Sequence, residues 1–90
     1  MTTIEVQKIG PEELKVVEGL PLITIYKNPT DYPEKCVARL WDVGKGVHRP
    51  TEIAVIADNI MELRSKIPWD SMIVIPRSPQ DDPKIVETWI

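Results

Sequence analysis

The chain has 90 residues, with 11 Lys and Arg against 14 Asp and Glu, a formal charge of −3. A hydrophobic share of 42% excludes a disordered composition, and the length suits one globular domain spanning residues 1–90. The lone cysteine, Cys36, excludes an internal disulfide framework and any multi-cysteine zinc site.

The N-terminal segment MTTIEVQKIG lacks the apolar core of a signal peptide, and no apolar run approaches the ~18 residues of a membrane span. The expectation is a cytoplasmic protein without membrane contact. Phenylalanine is absent, so Trp41, Trp69, Trp89 and Tyr26 carry the aromatic bulk alongside Ile and Leu. Nine prolines divide the chain into short segments, because proline is excluded from helix interiors and strand centres.

Residues 3–9 alternate Ile4 and Val6 with Glu5 and Gln7, the pattern of a half-buried strand. Pro11, Glu12 and Glu13 suit the first turn of a short helix over 11–18, with Gly19 as its stop. Val16 and Val17 weaken it. A β-branched strand follows at 21–27, then one at 36–43. The glycine- and proline-bearing stretch 44–50 reads as a loop, and 52–57 is apolar on both faces, as a central strand is. Together these predict an antiparallel hairpin. Residues 58–67 form the principal helix: Asn59 and Glu62 have capping-box spacing, Ile60, Leu63 and Ile67 make one stripe, and Pro68 closes it. Strands at 72–75 and 84–90 flank the loop Pro76–Pro83. The last strand, with no element after it to cover it, is expected at a sheet edge.

The fold class is therefore α+β: a mainly antiparallel sheet of five or six short strands with the 58–67 helix packed on one face.

Chemistry-bearing residues are few. His48 and Cys36 could form a nucleophile–base pair, but Cys36 opens an apolar strand, where a free thiol behaves as a small hydrophobe. Asp81 and Asp82 sit in a proline-rich loop, where adjacent carboxylates are turn chemistry, and their spacing matches no metal loop. No catalytic, cofactor-binding or metal-ligating residue is assigned. Charge is uneven: within 36–50, Arg39, Lys45 and Arg49 oppose only Asp42, and Trp41 and His48 lie among them. A basic hairpin beside an aromatic could touch nucleic acid, although a pI near 5.1 opposes strong affinity. Arg77, Asp81 and Asp82 occupy a stiff loop suited to recognition, and Trp89 lies on the final strand. The candidate interaction surface is thus Arg39, Trp41, Lys45, His48, Arg49, Arg77, Asp81, Asp82 and Trp89.

Three functions compete. The residues favour a non-catalytic interaction or regulatory module that binds a protein partner or self-associates through an edge strand. The second is a nucleic-acid-associated module using hairpin 36–50. Here the order strand, strand, helix, strand over 36–75 resembles antitoxins of the HicB kind, which implies a toxin-neutralising role. The third is a small enzyme using Cys36 and His48.

Overall fold

The computed structural model describes residues 3–44 and 46–90. The elements in order are β1 (Ile4–Glu5), α1 (Pro11–Leu14), β2 (Leu20–Lys27), β3 (Cys36–Gly44), β4 (Val47–Ala57), α2 (Ile60–Arg64), a 3-10 turn (Trp69–Ser71), β5 (Val74–Pro76) and β6 (Ile85–Trp89). The six strands form one sheet in the order β1-β4-β3-β2-β6-β5.

The sheet is mixed, which corrects the expectation of a mainly antiparallel one: β1 runs parallel to β4, with Ile4 beside Ile53. A tight hairpin can join only antiparallel neighbours, whereas a parallel arrangement needs a crossing segment. The chain supplies one. Val6 donates its N–H to the Ala54 carbonyl at 2.9 Å. Ile9, Leu14 and Val17 then pack against the core as the chain passes to β2. The final strand is also not at an edge. β6 pairs with β2 on one side and β5 on the other, so the two edges are β1 and β5.

Register sorts the side chains onto two faces, since directly opposed residues share a face. Ile23 opposes Leu40, Ile25 opposes Ala38, Ala38 opposes Val55, and Cys36 opposes Ala57. These seven positions are all among the buried apolar residues, joined by Leu63 and Ile67 from the α2 region. The opposite face carries Leu22 and Pro50 beside Trp41, Ala54 and Thr24 beside Arg39, and Ile56 and Tyr26 beside Val37.

Both helices are shorter than their sequence patterns suggest. α1 ends at Leu14 because Val16 and Val17 resist helical rotamers. α2 is capped as expected, Asn59 Oδ1 accepting the Glu62 N–H at 2.8 Å. It ends at Arg64, where the Ser65 hydroxyl donates to the Glu62 carbonyl at 2.6 Å and the chain tightens into i→i+3 bonds. β4 is longer than expected. It includes Pro50, which the strand tolerates because its pairing with β1 begins only at Ile53, leaving that side open.

Candidate interaction surface

The structure distributes the sequence-derived site residues over three places. Arg39, Trp41 and His48 share one face of the β3–β4 hairpin, while Arg49, opposite Asp42, lies on the other. Lys45 lies outside the described residues. Arg77, Asp81 and Asp82 occupy the β5–β6 loop, at the end of the sheet remote from the hairpin tip. Trp89 stands on β6 between Ile23 and Val74.

The hairpin cations are already engaged. The Arg39 guanidinium pairs with Asp31. Arg49 donates to Asp42 Oδ2 at 2.9 Å and approaches Glu18 at 4.0 Å. Asp42 is buried and also accepts the backbone N–H groups of Gly19 at 2.9 Å and Glu18 at 3.1 Å. These N–H donors, with Arg49, hold its carboxyl below the usual carboxylate range. This cluster fastens the start of β2 to β3. Gly19 is needed there, since a Cβ would meet the Val43 carbonyl oxygen at 2.3 Å. The indole N–H of Trp41 is buried with no acceptor.

In the β5–β6 loop, Arg77 donates to the Asp81 carbonyl at 3.2 Å and Ser78 N–H donates to Asp81 Oδ2 at 2.8 Å. Asp82 Oδ1 accepts the Lys84 N–H at 2.9 Å. These bonds fold the loop on itself. Cys36 and His48 are not brought together: Cys36 opposes Ala57 at one end of the hairpin and His48 opposes Val43 at the other. Burial pushes the Cys36 thiol up, ahead of the opposing charge of Lys27. Among the described residues, no three His, Cys, Asp or Glu side chains gather as a metal set, and no helix is long and apolar enough to cross a membrane.

Two features were not legible in the sequence. The first is a buried carboxylate, Glu87, opposite Ile25 on the core face of β6. Arg64 reaches it from α2 in a two-pronged contact, Nε at 3.0 Å and a terminal nitrogen at 2.5 Å. The Trp89 indole N–H donates to it at 2.7 Å. Arg64, ahead of the opposing effect of burial, holds the Glu87 carboxyl below its ordinary range. Arg64, Ser65, Trp69 and Trp89 line a groove of about 310 Å³ beside it.

The second is the β5 edge. Ile73 is 71% exposed, and Val74 and Ile75 are each 44% exposed. Ile73 exchanges both backbone bonds with Ile90, at 2.6 and 2.9 Å. In an antiparallel ladder such pairs alternate with unbonded ones. Val74, opposite Trp89, therefore turns its N–H and C=O away from β6, toward open solvent. Next to the edge, Leu20, Met72, Ile73 and Ile90 help line a second groove of about 380 Å³. The run Met72–Ile75 signals a strand in the sequence, but its place at the edge depends on where β6 pairs.

No family model, curated protein or solved structure matches this chain. The likeness to HicB-type antitoxins is therefore one of element order alone.

Proposed function

We propose that this chain is a small non-catalytic interaction module that holds a protein partner by adding an extended segment to the β5 edge. One observation carries the reading. Of nine large apolar side chains exposed among the described residues, six (Leu20, Trp69, Ile73, Val74, Ile75 and Ile90) border that edge or the grooves beside it. A contiguous exposed apolar patch marks a contact surface, and free backbone groups beside it supply directional hydrogen bonds. The engagement of Arg39 by Asp31 and of Arg49 by Asp42 favours a protein partner over nucleic acid, because few cations are left to displace counterions from phosphate. The lone buried thiol suits the reducing cytoplasm, where we place the module.

The test compares partner capture by the native protein and by an Ile75→Lys variant. A lysine on an edge strand discourages strand addition, and Ile75 is exposed enough to carry it without disturbing the core. Loss of specifically captured chains in the variant supports the reading. Equal capture by both proteins rejects edge-dependent binding.

A further inference from the structure

Resting on that reading, we infer that the segment added to β5 is β5 of a second copy of this chain, paired antiparallel about a two-fold axis at Val74. A two-fold contact requires a patch complementary to itself, and this edge is. The extended segment runs from Met72, whose φ of −126° and ψ of 160° are strand values, through Pro76. Only a register centred on Val74 lays that whole segment on its counterpart. A register centred one residue earlier would set the 3-10 turn at Trp69–Ser71 against Pro76.

In the Val74-centred register the outward groups match. Each Val74 N–H donates to the partner's Val74 carbonyl, and each Met72 N–H donates to the partner's Pro76 carbonyl. Pro76 has no N–H to return, so the Met72 carbonyl at each end of the ladder is left to water. On one face Ile73 meets the partner's Ile75, and the same contact recurs across the axis, so four isoleucines form one cluster. On the other face Val74 meets its own copy, beside the groove of Trp69 and Trp89. Charge is complementary too. The exposed segment 71–76 bears no ionisable side chain, Asp70 precedes it and Arg77 follows it, so antiparallel pairing brings opposite charges toward one another at both ends.

The contact is small. Stable dimers bury about 800 Å² per partner, and a five-residue edge with its flanking side chains supplies less. The dimer is accordingly a reversible one, with dissociation constants of roughly 10–500 μM, as interfaces below the standard size give.

Sedimentation equilibrium of the full chain up to about 1 mM, twice the upper end of that range, reads the association directly. Concentration-dependent dimerisation is the expected result, and a monomer throughout overturns the proposal. Two variants locate the contact. Val74→Pro deletes only an N–H that points away from β6, so folding should be kept while dimerisation weakens by tenfold or more, two hydrogen bonds being lost. Should that variant unfold, Ile75→Lys tests the same contact. A dimer unaffected by the folded variant, or by both, overturns the proposal.

The register is read by oxidation of single-cysteine variants, with native Cys36 buried as a silent control. V74C places two Cα atoms ~5.5 Å apart, inside the disulfide range, whereas I73C places them beyond ~7 Å. Covalent dimer from V74C supports the arrangement, and preferential cross-linking of I73C refutes it. If the protein is monomeric yet still captures other chains in an Ile75-dependent way, self-pairing fails while the interaction-module reading stands.

Discussion

Replacing Arg64 by methionine isolates the ion pair that clasps α2 to β6. Methionine keeps most of the aliphatic stem and removes the guanidinium. Glu87 is only 5% exposed, so it would keep the Trp89 indole N–H and lose two charge-assisted bonds. Bonds to charged groups contribute about 1.5–3 kcal/mol each, and breaking a fully buried pair costs about 3–5 kcal/mol. The Arg64 side chain is 47% exposed, so water offsets part of that loss. The expected cost at pH 7 is about 2–3 kcal/mol, or roughly 10–20 °C in Tm for a domain of this size. The pH dependence supplies the sharper criterion. In the native protein the Glu87 carboxyl titrates below its unfolded value, so its contribution is present above the unfolded pKa, near 4.3, and is lost as pH falls through the lowered folded value. Without Arg64, burial raises the carboxyl instead, and protonation relieves the variant as pH falls. The stability gap between the two proteins must therefore shrink between pH 7 and pH 3. The other acid-stabilising groups, Asp42 and Asp58, are common to both and cancel in the difference. Urea denaturation at both pH values measures the gap. A cost under about 0.5 kcal/mol at pH 7, typical of a surface pair, or a gap independent of pH, would refute the argument.

Leu63→Ala should cost about 2–5 kcal/mol, since Leu63 is wholly buried in the cluster under the sheet; thermal denaturation measures it, and an unchanged Tm would mean that α2 is not seated there. Gly19→Ala should destabilise by about 1–3 kcal/mol, because the new methyl meets a backbone carbonyl that cannot move aside as a side chain does; an unchanged denaturation midpoint would contradict that approach. Cys36 should react with a thiol reagent in native buffer far more slowly than in denaturant, as its 5% exposure and raised pKa require, and equal rates would show the strand end to be open.

The strands were legible where local pattern decided them. The β-branched run at 21–27 and the alternation at 36–43 fall within one residue of β2 and β3. Partner choice was not legible, because it depends on residues far apart in sequence. The alternation of Ile4 and Val6 predicts a half-buried strand over 3–9, but β1 covers only Ile4–Glu5, both exposed, and the pattern says nothing about whether the neighbour runs parallel. By alternation alone, a charged Glu87 beside Trp89 implies a face only partly covered by the chain. Glu87 is instead buried and satisfied by Arg64 from another element, a pairing that no local periodicity encodes. The candidate surface shared this limit. Basic residues at 39–49 form a charge cluster in sequence, but strand alternation sends Arg49 to the face opposite Arg39, and each meets its own carboxylate.

The sheet order also sets how the molecule comes to be folded. β2, β3 and β4 form a meander that can assemble from near neighbours, but β6 must enter beside β2 from the opposite end of the chain, and β1 must close against β4 across most of the intervening sequence. Closing such long loops costs entropy before the contacts they permit are made. The more a fold depends on pairings of this kind, the more slowly it forms. Until β6 is in place the β2 edge is bare, and the chain is then at its most exposed to mispairing with its neighbours.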